Sequence, residues 1–277
     1  MADTQGFPDF VEAHLNYSVD SGVMPVTETR DVSQFETVTE RINHSYVPQR
    51  MRINNGRLRF DDFDLDRNGF VFAKHETQMK DFYDEQELRD VYHPEMVELI
   101  KAKSGASRVY VFDHTVRSYE KDKKMRLRTP VHSVHNDYTE WSARKRVADF
   151  MGEEAGALLA KRFAVIQTWR PINKAIEEDP LAISDGATLD EDKDLLLAER
   201  RYPDRVGQTY RVAHNPKHQW YYLPRMARDE IIVFKVYDSA RDGRARYTAH
   251  TAFKDPMMPE NPNRRESIEI RTFAFFD

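Results

Sequence analysis

A chain of 277 residues and 32.6 kDa is long enough to bury a sizeable core, roughly three quarters of the surface its unfolded form exposes. Its 40% hydrophobic content, with 16 Phe, 13 Tyr and 3 Trp, excludes a disordered chain in spite of 32% charged residues. The lack of cysteine excludes disulfides, thiolate-held zinc, iron–sulfur clusters and thiol catalysis, and a net charge of −5 argues against a nucleic-acid partner, because phosphate contacts need a basic face.

In chain order, residues 1–50 are mixed and polar and predict an irregular N-terminal arm. Residues 1–9 hold neither a basic nor an apolar leader region, and no apolar run approaches the roughly 18 residues of a membrane span, so a cytoplasmic protein without a membrane partner is expected. Residues 52–77 predict short strands about an Asn68-Gly69 turn, as in a hairpin. Residues 84–103 have a helical pattern, with Pro94 where a second helix would start and its missing N–H is harmless. A strand is expected at 108–116, then a helix over 139–161 with Thr139 as N-cap and a break at Gly152. From there the chain becomes β-rich. Segments 163–169, 209–213, 220–223, 230–237, 245–253 and 267–276 are short, aromatic or β-branched, and separated by Pro, Gly, Asp and Asn, a spacing that suits a sandwich or barrel. The expectation is one mainly β domain over 1–277. An arm, hairpin and helices (1–104) would pack outside a core over 105–277.

No two of the 10 glycines are separated by a single residue, which excludes the Gly-x-Gly-x-x-Gly dinucleotide fingerprint, and no P-loop is present. Asp64, Asp66, Asn68 and Gly69 imitate the start of a calcium-binding EF-hand loop, but its twelfth position holds His75 instead of Glu. An Asp/Asn-rich turn is the better reading.

His135-Asn136-Asp137 is different. If 131–138 is a strand, its alternation points His135 and Asp137 to one side, giving two corners of the two-histidine, one-carboxylate triad that holds non-haem Fe(II). A surface His–Asp pair would look the same. His250 follows 115 residues later, and Arg265-Glu266-Ser267 a further 15 residues on. Arg265 and Ser267 share a strand face, an arrangement that suits a carboxylate such as the tail of 2-oxoglutarate; the competing reading pairs Arg265 with Glu266 or Glu269. His214 and His218 compete with His250 for the third ligand position, with His214 held in reserve. The order of these pieces carries more weight than any one of them.

Several blocks resemble the fungal AsaB-type hydroxylase/desaturase family, which includes gibberellin desaturase-like and cephem methoxylase-like proteins. They are Asp64 to Phe70, Phe112 to Arg117, Val134-His135-Asn136-Asp137, Trp169-Arg170-Pro171-Ile172 with Asp179-Pro180-Leu181-Ala182, Phe234 to Ser239, His250-Thr251-Ala252-Phe253 with Asp255-Pro256, and Arg265 to Arg271. The resemblance implies a double-stranded β-helix (jelly roll, cupin-like) with flanking helices. It further implies Fe(II) and 2-oxoglutarate as cofactor and co-substrate, with His135, Asp137 and His250 as metal ligands and Arg265, with Ser267 beside it, on the distal carboxylate. Arg170 would be a second carboxylate contact or a partner of Asp137, with a packed strand-end residue as the competing reading. His114 and Arg117 would be structural, and His132 would face away from the metal. The implied substrate is a hydrophobic small molecule of terpenoid or meroterpenoid type. With O2 it would undergo hydroxylation, desaturation or endoperoxide formation in secondary metabolism. Two other classes remain open: a non-catalytic jelly-roll partner subunit that binds metal or ligand, and a cofactor-independent enzyme on a cupin-like scaffold that would not need Arg265. A homodimer is expected on base rates alone.

Overall fold

The computed structural model describes residues 6–30, 39–118, 130–203 and 205–277. Its strands, in order, are β1 (Phe10–Ser18), β2 (Val26–Arg30), β3 (Thr39–Ile42), β4 (Tyr46–Asn55), β5 (Phe70–Lys74), β6 (Arg108–Ser118), β7 (His135–Asn136), β8 (Phe163–Pro171), β9 (Leu181–Ser184), β10 (Leu195–Arg201), β11 (Val206–Val212), β12 (Trp220–Tyr222), β13 (Glu230–Asp238), β14 (His250–Ala252) and β15 (Glu266–Phe275). The larger sheet runs β1-β4-β12-β9-β14-β7-β11-β10-β2-β3 and the smaller β5-β13-β8-β15-β6. Between them lies a core to which both contribute: Leu181, Ile183 and Tyr221 from the larger sheet, and Phe70, Trp169, Phe234 and Phe273 from the smaller. This is the jelly roll that the resemblance implied.

The N-terminal residues do not form an irregular arm. In β1, Val11, Ala13, Leu15 and Tyr17 are buried while Phe10, Glu12 and His14 are not, the period of two that a half-buried strand requires. β1 pairs antiparallel with β4, and β4 pairs parallel with β12, so the chain start widens the larger sheet. The hairpin over 52–77 is also absent. β4 belongs to the larger sheet and β5 to the edge of the smaller, and the Asn68-Gly69 turn carries the chain between them. Gly69 has φ of +80°, its carbonyl accepts from the Lys235 N–H, and a Cβ there would collide with Thr248 Oγ1. Asp64 caps its own turn through the Asp66 and Arg67 N–H groups, and Asp66 pairs with Arg162, Lys235 and Arg244, so these carboxylates are spent on the turn.

Helices form where expected. After a short α1 (Glu85–Glu87) and a π-type turn (Leu88–Tyr92), α2 (His93–Ser104) starts with Pro94 in its first turn and ends at Gly105, φ +72°. It covers the outer face of the smaller sheet, where Tyr92 and Met96 meet Ile268 and Ile270 of β15. α3 (Glu140–Met151) opens on a Thr139–Ser142 capping box and stops at Gly152, which leads through a 3-10 turn into α4 (Ala155–Leu159). Two expected strands are shorter than anticipated. Of 131–138 only His135–Asn136 is laddered, and of 245–253 only His250–Ala252.

Candidate active site

His135 and His250 sit directly opposite each other across the antiparallel β7–β14 pair, with ring centroids 4.4 Å apart. Asp137 lies one residue beyond the end of β7, and its Oδ1 is 3.4 Å from His135 Nε2. The potential ligand atoms of His135, Asp137 and His250 all lie within 4.8 Å of one another, and among the described residues no other such group of histidine and carboxylate side chains occurs. The tautomers are set by the backbone. His135 Nδ1 donates to the Ser133 carbonyl at 2.7 Å and His250 Nδ1 to the Thr248 carbonyl at 3.3 Å, which leaves each Nε2 lone pair for a ligand. Burial, followed by the neighbouring His135, pulls His250 down to about 4, so its ring is neutral at physiological pH. Burial would raise Asp137, but its contacts with the His135 ring and the Arg271 guanidinium outweigh that and hold its carboxyl well below the usual range. Two imidazoles and one carboxylate, converging and partly desolvated, form a donor set that fits Fe(II).

The cluster opens on a small, partly open cavity lined by apolar Trp169, Leu181, Phe234 and Ala252 and by polar Arg117, Arg265 and Glu269. Arg265 is buried. Its Nη1 donates to the Asp179 carbonyl at 2.6 Å, its Nε to Ser267 Oγ at 3.3 Å, and its guanidinium lies over the Trp169 ring, 4.9 Å from the centroid. The pairing of Arg265 with Glu266 or Glu269 does not occur. Glu266 accepts from Tyr83 and Asn173, and Glu269 pairs with Arg271 and Arg117.

The other candidates go elsewhere. Arg170, expected near Asp137 or a ligand carboxylate, points to the opposite side of β8. There it is fully buried and donates to His75 and to the Arg228 carbonyl, so the competing reading, a packed strand residue, matches its position. His132 faces Asp179 at 3.3 Å. His214 sits edge-on to Tyr17, and His218 bridges the Tyr17 hydroxyl and Asp194, so neither joins the cluster. His114 pairs with His93 and Glu85, whereas Arg117 lies in the cavity wall, closer to the site than its structural reading implied.

Sequence reasoning missed Gln167, Glu269 and Arg271. Gln167 Nε2 donates to Asp137 Oδ2 at 2.8 Å, and Arg271 Nη2 reaches the same oxygen at 3.5 Å. For Glu269 and Arg271 the signal was the alternation that runs from Arg265 into β15, with Arg265, Ser267, Glu269 and Arg271 odd and Ile268 and Ile270 even. Such a strand usually turns its polar face to water. Here α2 covers the isoleucines, and the polar stripe faces the interior.

A jelly roll with two histidines and one carboxylate converging on a half-apolar cavity defines the class of non-haem iron oxygenases. Residues 15–275 match a family described as an oxidoreductase/YMDC permease-like domain; among the described residues no helix is long and apolar enough to cross a membrane. The chain is 35% identical over 230 residues to the alpha-ketoglutarate-dependent dioxygenase phiK of a fungal species (strain ATCC 74256), covering 80% of this chain and 82% of phiK. It is 35% identical over 256 residues to the hydroxylase/desaturase efuI of Hormonema carpetanum, covering 84% and 85%. A solved structure of the iron and alpha-ketoglutarate-dependent endoperoxidase NvfI superposes with a TM-score of 0.84 at 27% identity, over 97% of this chain and 98% of NvfI. The chain belongs to the fungal hydroxylase/desaturase family of Fe(II)/2-oxoglutarate-dependent dioxygenases.

Proposed function

We propose that His135, Asp137 and His250 hold Fe(II) and that Arg265, steadied by Ser267, binds the distal carboxylate of 2-oxoglutarate, so that the chain oxidises a hydrophobic small molecule of terpenoid or meroterpenoid type by hydroxylation, desaturation or endoperoxide formation. The observation that carries the reading is the convergence of three ligand atoms within 4.8 Å on a cavity that also contains Arg265. With 2-oxoglutarate and O2, Fe(II) supplies the oxidising chemistry; the chain supplies position and environment. The backbone carbonyls of Ser133 and Thr248 fix both imidazoles with Nε2 toward the site. The Arg265 fork matches a carboxylate in shape and charge, and its stack on Trp169 restricts its plane. Leu181, Phe234 and Ala252 present an apolar wall that excludes water and accepts a hydrocarbon skeleton.

The test is anaerobic. Apo protein and its His250→Ala variant are given Fe(II) and then 2-oxoglutarate, and the weak visible charge-transfer band of the chelated co-substrate is recorded. A band in the wild type that disappears in the variant is expected. A band of equal strength in both would remove His250 from the ligand set, and no band in either would refute the cofactor pair.

A further inference from the structure

Gln167 occupies a place that core packing alone does not account for. It is fully buried in the middle of β8, and its register partner across the β8–β15 ladder is Arg271. Partners in a ladder present their side chains on the same face, and both of these reach Asp137 Oδ2: Gln167 Nε2 at 2.8 Å and Arg271 Nη2 at 3.5 Å. Asp137 Oδ1 is left on the side of His135. A buried amide is tolerated when its polar atoms are bonded. Gln167 Oε1 has no hydrogen-bond partner among the described residues, so the side chain is committed through its N–H alone. The amide orientation follows from the same geometry, since a carbonyl turned toward a carboxylate would repel it. Arg271 is fixed in turn. Its Nη1 donates to Asp113 and Thr115 of β6, and its Nη2 also pairs with Glu269.

We infer that Gln167, backed by Arg271, is a positioning residue that reserves Oδ2 of Asp137 and so makes this carboxylate a one-oxygen metal ligand. The inference rests on the reading of His135, Asp137 and His250 as the metal site. Its consequence is a count of coordination positions. A carboxylate free to turn would offer both oxygens and occupy a place that a two-point co-substrate or O2 requires. Asp137 held through Oδ2 offers only Oδ1. Gln167 carries no charge, so its replacement tests position without altering the electrostatic balance of the buried ladder of Asp137, Arg271, Glu269 and Arg117.

The experiment uses Co(II) as the probe, added anaerobically to apo protein and followed by calorimetry and by its visible d–d absorption. The proteins are the wild type, Gln167→Met, Gln167→Asn and Asp137→Ala. Methionine keeps the length and burial without a donor, and asparagine keeps the amide but falls one methylene short. Each Gln167 variant is expected to bind one equivalent of Co(II) roughly 10-fold or more weakly, within the range for lost partners of metal ligands, and with altered d–d bands, a change that a purely structural residue would not cause. If one variant fails to fold, the other still decides. Wild-type affinity within threefold and an unchanged spectrum in a folded Gln167 variant would overturn the inference while leaving the metal site standing. Equal Co(II) binding by wild type and Asp137→Ala, or none by the wild type, would instead refute the metal-site reading and the inference with it.

Discussion

Replacing Arg265 by leucine should cost the protein its grip on 2-oxoglutarate without costing it the fold. Arg265 is 3% exposed, and its guanidinium is oriented by the Asp179 carbonyl, Ser267 and the Trp169 ring. A carboxylate bound there would be desolvated on the ligand's side as well. Truncating one partner of such a buried charge pair costs about 2–5 kcal/mol, and with 1.4 kcal/mol per tenfold this is a rise in Kd of roughly 30-fold to a few thousandfold. The stability cost is smaller, on the order of 1 kcal/mol for the neutral acceptor left at Asp179. Lysine in the same place should fall between, because it keeps the charge but loses the fork and the stack. The assay is titration of 2-oxoglutarate into the Fe(II)-loaded protein under argon, with thermal melts as the control for folding. In steady state the effect should appear in KM for 2-oxoglutarate, with kcat at saturation changed far less. An Arg265→Leu protein that folds and binds 2-oxoglutarate within threefold of wild type would refute the assignment.

Two further predictions concern groups away from His135, Asp137 and His250. Arg170→Met should leave the affinity for 2-oxoglutarate unchanged but lower the melting temperature, because this buried side chain donates to His75 and to the Arg228 carbonyl; a loss of about 1–3 kcal/mol is expected from the acceptors left without a donor, and a selective rise in the 2-oxoglutarate Kd with an unchanged melt would contradict its placement. His93, half-buried and facing His114, is pulled down to about 4, first by burial and then by that neighbour. The fold therefore prefers the neutral ring. Its contribution is intact above the unfolded value of 6.5 and is lost as pH falls from there toward 4, where folded and unfolded forms are both protonated. A full shift of that size would be about 3 kcal/mol, and solvent screening reduces it to on the order of 1 kcal/mol. Urea midpoints measured from pH 7 to pH 4 should fall less steeply in His93→Gln than in wild type, and parallel slopes would refute the assignment.

Most C-terminal strands and the helices were legible because each satisfies a local rule: Thr139 and Gly152 bracket α3, Pro94 opens α2, and β13 and β15 are long apolar or alternating runs, whereas β9 and β10 were not expected. The cluster of His135, Asp137 and His250 was legible through order, since these residues and Arg265 follow one another along the chain in the sequence that the resemblance implies. β1 alternates as clearly as β15 does, yet it lies in a polar neighbourhood whose partners β4 and β12 are distant in sequence, so only the ladder identifies it. Arg170 and Gln167 show the remaining difficulty. They are three residues apart on one strand, so they face opposite sides, and which side is the interior depends on where α2 packs. Without that helix in place, the more conspicuous cation draws the assignment and the neutral amide that touches Asp137 passes unnoticed.

Succinate formation distinguishes a site that turns over 2-oxoglutarate from one that merely binds a ligand. Wild type and Asp137→Ala are incubated aerobically with Fe(II) and 2-oxoglutarate in the absence of any added substrate, and succinate is quantified against an anaerobic control. Slow, O2-dependent succinate is expected from wild type and none above background from Asp137→Ala. Succinate formed equally by both proteins, or by neither although Fe(II) and 2-oxoglutarate are bound, would contradict turnover at this site.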